Sequence, residues 1–385
     1  MRKTEQENML FQELDFVGSD KILVLNKQKV LGFIGRIGKE HSLKAIREGL
    51  FSLKDQLSDF KTDKEGLLNI ESNGDTVKIN QGFLFNELRQ IIQAQTLERS
   101  KYYLRRLYKG VSEKRTNKVN DINLNRWKEY EDIITDSLWV LDKRDNSGVH
   151  KADYWGNFIP QIPQQMIKRY TRKGEWVLDT FAGCGTTIIE AQRLGRNSIG
   201  IELQPNVVKT ANELVNSEPN KYKTTNEVIQ GDSCEIDYGN ILRQFHCNSV
   251  QLLIMHPPYF DIIKFSDNPK DLSNAKSTHD FLGKMNVIVQ KASEILDEGR
   301  YFALVIGDKY SRGEWIPLGF LTMQEVLKNG FLLKSIIVKN FEETFGKRNQ
   351  KELWKYRALV GGFYIFKHEY IFLFRKNRNH TKIDK

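Results

Sequence analysis

Cysteine is scarce in this chain of 385 residues: Cys184, Cys234 and Cys247 stand alone, in no paired metal spacing. That excludes a disulfide framework and a zinc site built on cysteine pairs. Cys184, set in a glycine turn, reads as a small filler rather than a redox group. The seven histidines form no ligand cluster, so no metal is expected at all. No apolar run approaches the length of a membrane span, and the opening Met1-Arg-Lys-Thr-Glu-Gln-Glu-Asn8 is too polar for a signal peptide. Mean hydropathy is −0.52. The expectation is a soluble, cytoplasmic protein with no membrane partner. Repeats and low-complexity tracts are missing too.

What the chain has is positive charge. Lys and Arg number 59 against 49 Asp and Glu, a net charge of +10, which favours a polyanionic partner. Arg99, Lys101, Arg105, Arg106, Lys109, Lys114, Arg115 and Lys118 interleave with Tyr102, Tyr103 and Tyr108. Such a mixture suits phosphates and exposed bases. It equally suits a solvated helix face with its tyrosines turned to the core. A second basic stretch holds Lys347, Arg348, Lys351, Lys355 and Arg357. Arg105, Arg106, Lys347 and Arg348 are the candidate phosphate contacts.

The length favours two domains. In the first, Lys21–Leu25 and Val30–Ile34 alternate as a hairpin, and 42–59 has helical spacing. Leu67–Ser72 and Thr76–Ile79 flank the turn signal Asn73-Gly74, and a long helical pattern runs from Phe83 to Lys109. No chemistry is legible there. A linker-like Asp142–His150 leads into a second part. Its later elements read as a helix over Asp280–Leu296, a strand over Arg300–Gly307 and a helix over Ile316–Asn329. Two final strands, Ser335–Lys339 and His368–Arg375, are separated by a long loop, 341–367.

The chemistry concentrates in that second part. Trp176-Val-Leu-Asp-Thr-Phe-Ala-Gly-Cys-Gly-Thr-Thr187 is a buried-strand pattern running into a glycine turn and a helix, an element that cradles nucleotides. Gly183 and Gly185 supply positive φ and close backbone approach. Strand Ser198–Ile201 then ends in Glu202, suited to the hydroxyls of a ribose, and Glu227–Gly231 ends in Asp232. Last comes Met255-His256-Pro257-Pro258-Tyr259 after the apolar run Val250–Ile254. Two prolines stop a strand and stiffen its exit, and a ring beside that exit makes a slot for a planar group. Such slots hold flipped-out nucleobases.

Phe181-Ala-Gly-Cys-Gly-Thr-Thr187 together with His256-Pro-Pro-Tyr259 resembles the S-adenosylmethionine-dependent DNA amino-methyltransferases, which methylate the exocyclic amino group of adenine or cytosine. The likeness covers roughly 136–375. It implies a Rossmann-like α/β methyltransferase fold with a mixed seven-stranded sheet and an antiparallel last strand over 136–378. It leaves 1–135 as an α+β region of unassigned role and a candidate DNA contact, and 379–385 as a polar tail.

By the same resemblance S-adenosyl-L-methionine lies against Phe158, Asp179, Phe181, Ala182, Gly183, Gly185, Thr186, Thr187, Glu202 and Asp232. Glu202 takes the ribose and Asp232 the adenine amino group, with Asn157–Pro163 and helix Gln164–Arg169 closing the other side. His256, Pro257, Pro258 and Tyr259 form the catalytic tetrapeptide. Its first side chain and the Pro257 carbonyl accept from the target amino group, or His256 points away as a structural residue and leaves the carbonyl alone, and Tyr259 stacks on the extruded base of double-stranded DNA. The implied partners are DNA and a separately encoded restriction endonuclease.

Three features depart from the family's usual pattern: His256 where Asp, Asn or Ser is common, Thr180 where Pro is common, and the glycine turn ahead of the tetrapeptide in a permuted order. An unperturbed imidazole loses its acceptor near pH ~6.5. His256 leaves the target base open, with adenine N6 favoured over cytosine N4. A nicotinamide-dependent oxidoreductase lacks support, since the turn has no third glycine and the tetrapeptide goes unexplained. An RNA base methyltransferase and a catalytically impaired DNA-binding relative stay open.

Overall fold

The computed structural model describes residues 19–70, 75–150, 156–341 and 351–377. The expected turn at Asn73-Gly74, Lys347, Arg348, the opening Met1–Asn8 and the tail 379–385 lie outside them. The chain divides into two compact units. One takes the described residues up to Asn117 with Ile122–Asp132, the other Lys118–Asp121 with the residues from Ile133 onward.

In the first unit β1 (Ile22–Asn26) pairs antiparallel with β2 (Thr76–Asn80). β1 runs straight into α1 (Lys27–Lys39), which is followed by α2 (Leu43–Ser58); β2 runs into α3 (Gln81–Ile92), which is followed by α4 (Leu97–Ser112). Each of the two strands ends in an asparagine that caps the helix after it. Asn26 accepts from the Lys29 N–H and Asn80 from the Phe83 N–H, satisfying donors that a helix start leaves orphaned. The hairpin expected over 20–36 is therefore a strand and a helix. Val30, Phe33, Ile34 and Ile37 are the buried face of α1, a helical spacing that brief alternation imitates. In the second expected hairpin Thr76–Asn80 is a strand, but its partner among the described residues is β1. The long helix expected from Phe83 is two helices, broken where Thr96 caps α4 by accepting from the Arg99 N–H. Leu25, Ile46, Leu50, Leu53, Leu88 and Leu104 anchor a continuous apolar core.

The second unit is an eight-stranded mixed sheet. Its chain order is β3 (Leu138–Trp139), α5 (Gln161–Tyr170), β4 (Trp176–Asp179), α6 (Thr186–Leu194), β5 (Asn197–Glu202), α7 (Pro205–Ser217), β6 (Asn226–Gln230), α8 (Tyr238–Gln244) and β7 (Val250–Met255). α9 (Thr278–Glu294), β8 (Leu296–Ile306), a small hairpin of β9 (Lys309–Ser311) and β10 (Glu314–Ile316), α10 (Leu318–Lys328), β11 (Phe331–Asn340), α11 (Lys351–Gly361) and β12 (His368–Lys376) complete it. Across the sheet the order is β3-β11-β12-β8-β7-β4-β5-β6. β4 to β8 run parallel, while β12 is antiparallel to both of its neighbours.

The fold is thus the Rossmann-like α/β class, with the antiparallel last strand. It has eight strands where seven were expected, because the two-residue β3 adds itself to β11. α9 stops at Glu294 and gives Leu296 to β8, Pro317 starts α10 later than expected, and the long loop after β11 contains α11.

Side-chain alternation builds both faces of the sheet. Leu253, Phe302, Leu304, Phe372 and Phe374 pack on one side with Phe281, Met285 and Ile288 of α9. Leu252, Ile254, Ala303, Val305 and Ile371 pack on the other with Ile162, Met166 and Ile167 of α5. The order reverses between β4 and β7, so their carboxyl ends flank the switch point where open α/β sheets bind ligands.

Candidate functional site

Asp179 closes β4 opposite Ile254 of β7. The glycine turn and the tetrapeptide therefore leave the sheet side by side, from adjacent parallel strands. Asp179 is buried, and its carboxylate accepts from the Phe181 N–H at 2.9 Å and from the Thr187 hydroxyl. Burial pushes this carboxyl up to about 6, against those two hydrogen bonds. Ala182, Thr186 and Thr187 are buried, while Phe181 is partly exposed. Thr180, where the family's usual pattern has proline, buries a hydroxyl with no partner among the described residues.

Gly183 (φ 50) donates its N–H to Glu202 Oε2 at 3.1 Å, and the Gln204 N–H reaches Oε1 at 2.9 Å. Burial raises the Glu202 carboxyl above the ordinary value in spite of those bonds. Gly185 (φ 83) is the N-cap of α6, and a Cβ there would face Ala211 and Val215. The left-handed backbone there favours glycine. Asp232, just past β6, accepts from the Cys234 N–H at 2.8 Å. Asn157 ties the segment before α5 to the turn, accepting from Thr186 at 2.7 Å and donating to Cys184 Sγ at 2.9 Å.

The tetrapeptide is supported differently. Phe158 is buried, with its ring 4.8 Å from the His256 ring at 35°. His256 and Tyr259 are half-buried, Pro257 is buried, and the residue after Tyr259, Phe260, turns the chain with φ 54. Few non-glycine residues hold such a backbone. His256 Nε2 lies 3.1 Å from Tyr259 Oη. That hydroxyl donates to Glu369 Oε2 at 2.8 Å, and Lys339 Nζ donates to Glu369 Oε1 at 2.9 Å. The Tyr259 ring lies so close over Gly307 that a Cβ there would meet it at 2.9 Å.

Burial pushes His256 down to about 4, with Glu369 opposing, well below the unperturbed value assumed from the sequence. Burial also raises Tyr259 well above its usual range. For Glu369 burial works upward, but Lys339 and His256 hold its carboxyl below the ordinary range.

Glu369 and Lys339 are the two site neighbours that motif reasoning missed. They are cross-strand partners on β12 and β11, each nearly fully buried. Glu369 is the one carboxylate in β12, but Lys339 shares β11 with Lys334, so the sequence did not single the pair out.

Of the basic candidates, Arg105 is exposed on α4. Arg106 instead pairs with buried Glu87 at 3.1 Å and reaches Gln90, and Lys128 bonds the same two residues. Among the described residues no His, Cys, Asp and Glu cluster could hold a metal, and no helix is long and apolar enough to cross a membrane.

A mixed sheet whose parallel strands carry a glycine turn, two strand-end carboxylates and a proline-stiffened tetrapeptide at the switch point is the framework of a Rossmann-like methyltransferase. The chain belongs to the DNA methylase family, whose sequence profile matches residues 19–213 and 250–385. That match starts at residue 19, so it also takes in the first unit, where no motif was legible.

Among individual relatives, the type II methyltransferase M.MjaII of Methanocaldococcus jannaschii is 41% identical over 58 residues, 15% of this chain and 11% of that protein. The type II methyltransferase M.BglI of Bacillus subtilis is 33% identical over 118 residues, 29% of this chain and 33% of that protein. The chain thus spans a third or less of these relatives' length. Among solved structures, TrmN from Thermus thermophilus aligns at 17% identity over 57% of this chain and 49% of that chain, with a TM-score of 0.36.

Proposed function

We propose that this chain transfers a methyl group from S-adenosyl-L-methionine to an exocyclic amino group of a base in DNA. The observation that carries the reading is the pairing of β4 with β7, which sets a nucleotide-cradling turn beside a base-slot tetrapeptide. The residues fit the cofactor. Glu202 and Asp232 stand at or just past the ends of neighbouring strands as acceptors for hydroxyl and amino groups, and Gly183 has the positive φ expected of the turn. The cofactor supplies a methyl carbon on a sulfonium: the nitrogen–carbon bond forms as the sulfur–carbon bond breaks, and one amino proton is released.

An exocyclic amino nitrogen is a weak nucleophile because its lone pair is delocalised into the ring. The protein's task is then acceptance and alignment. His256, neutral at ordinary pH, and the Pro257 carbonyl are the acceptors. Tyr259 is the wall of the base slot, and Phe158 holds the imidazole plane. Adenine N6 is favoured over cytosine N4, since relatives with Asp or Asn at this position mostly modify adenine and those with Ser cytosine, and a ring-nitrogen acceptor is closer in chemistry to a carboxylate or an amide than to a hydroxyl. Exposed Arg105 and Lys109 on α4 and exposed Lys355 and Arg357 on α11 are the proposed phosphate contacts. Lys347 and Arg348 complete that second set in the sequence. The type II names of the relatives support a modification role beside a separate endonuclease.

The deciding experiment is incubation with labelled S-adenosylmethionine and, separately, duplex DNA and RNA, followed by nucleoside analysis. Label in N6-methyladenine of DNA is expected. Label in RNA alone, or in neither nucleic acid, overturns the reading.

A further inference from the structure

His256, Tyr259, Glu369 and Lys339 form one hydrogen-bonded chain from the tetrapeptide into the sheet, and donor chemistry fixes its direction. Lys339 has only donors, and it occupies Glu369 Oε1 at 2.9 Å. An ionised carboxylate only accepts, so Tyr259 gives its single proton to Oε2, 2.8 Å away. The phenol oxygen is then left to accept from the imidazole at 3.1 Å, which requires the ring proton on Nε2. Nδ1 keeps its lone pair, and no described residue donates to it. The Phe158 face against the ring offers no competing hydrogen bond.

We infer that Lys339 and Glu369 are positioning residues that, through Tyr259, hold His256 as the Nε2–H tautomer and so reserve Nδ1 as the acceptor for the target amino group. The identity of that target rests on the methyl-transfer reading above; the tautomer does not. Which ring nitrogen of a histidine carries the proton is generally set by the partner of the other one. The charged and titratable groups facing the ring are Tyr259 on its own segment, Glu369 on β12 and Lys339 on β11. A buried ion pair is weak support for stability, since well-packed apolar residues serve a sheet as well. Stability alone therefore does not call for Lys339 and Glu369, whereas ordering the imidazole does.

The direction of the chain makes a sharp test. In Glu369→Gln the amide must turn its oxygen to Lys339, which can only donate, and its NH2 to Tyr259. Tyr259 then accepts from the amide and donates to His256 Nε2, which drives the ring proton to Nδ1 and removes the acceptor. With the full chain labelled by 15N-histidine, and His256 signals assigned by their loss in His256→Ala, nitrogen shifts report the tautomer directly.

The wild type is expected to show Nε2–H and Glu369→Gln to show Nδ1–H. Adding Lys339→Met frees the amide to turn its oxygen toward Tyr259, and Nε2–H should return. Turnover of Glu369→Gln should fall at least about tenfold, with cofactor affinity unchanged, and recover in the double variant. An Nδ1–H wild type overturns the inference without any variant, as does a Glu369→Gln spectrum with the wild-type tautomer. A correct tautomer series in a protein that methylates no nucleic acid instead sinks the methyl-transfer reading and leaves the chain of protons standing.

Discussion

The two sides of the candidate site are built by different means. On the glycine-turn side the supporting bonds span 29 residues of chain or fewer. Asp179 holds Phe181 and Thr187 within the turn, Gly183 leans on the acid at the end of the next strand, and Asn157 ties in from just before α5. On the tetrapeptide side support comes from far along the chain: 110 residues separate Tyr259 from Glu369, and Gly307 makes room for the ring. A local motif can carry its own geometry from fold to fold. A motif braced from distant strands takes its chemistry from whatever those strands bring, which is how an imidazole here comes to sit against a buried carboxylate and ammonium.

The largest expected effect breaks one side and leaves the other. Glu202→Ala and Asp232→Ala each remove a charged hydrogen-bond acceptor, and cofactor affinity measured by calorimetry should fall about 10- to 100-fold in each. The 15N signals of His256 should not move. If Glu202→Ala shifts the imidazole tautomer, the two sides are coupled and the comparison fails. Gly185→Asp tests folding instead, because a residue with a Cβ would have to hold the left-handed backbone there, beside Ala211 and Val215.

That asymmetry explains what could be read from the sequence. The β4 turn, Glu202 and Asp232 were legible because strand, glycine and acid follow one another within a single run. The apolar run Ile371–Phe374 read as a strand, but that Phe372 and Phe374 face one core and Ile371 and Leu373 the other is seen only in the fold. Glu369 and Lys339 escaped because partnership across antiparallel strands is a tertiary fact, fixed by the β11–β12 register. The hairpins misread in the first unit failed for a related reason. β2 pairs with a strand lying before two intervening helices, and no turn signal encodes that. Arg106 looked like its neighbour Arg105 until Glu87 was seen beneath it.

Next in size is the pH response, which runs in opposite directions on the two sides. His256 is pushed down to about 4 in the folded chain, so between that value and ~6.5 the unfolded chain binds more protons and stability falls on acidification. Asp179 is pushed up to about 6. Its contribution is present below ~3.9 and is lost as the pH rises through 6. Asp179→Asn should remove that loss, and denaturant titrations at pH 4 and pH 7 check it. For turnover, the acceptor on His256 should survive to about pH 5 and disappear through about 4. An acid limb near ~6.5 would mean the ring titrates as an exposed imidazole. His256→Ala should lower turnover about 10- to 100-fold and abolish the limb, while His256→Asp should retain an acceptor.

The smallest effect separates two neighbouring arginines on α4. Arg105 and Lys109 are exposed. If they meet phosphates, replacing both with Ala should flatten the slope of log affinity against log salt by about 2, since each neutralised phosphate contributes about 0.9. Arg106→Ala should leave the slope where it was. It strips one partner from buried Glu87, which Lys128 also holds, so the cost should appear as about 1–3 kcal/mol of folding stability. Binding isotherms at several salt concentrations, paired with thermal unfolding, separate these outcomes. A flattened slope in Arg106→Ala with unchanged unfolding would reverse the assignment and make the ion pair with Glu87 incidental. A slope indifferent to Arg105 and Lys109 would mean that this basic face meets only water.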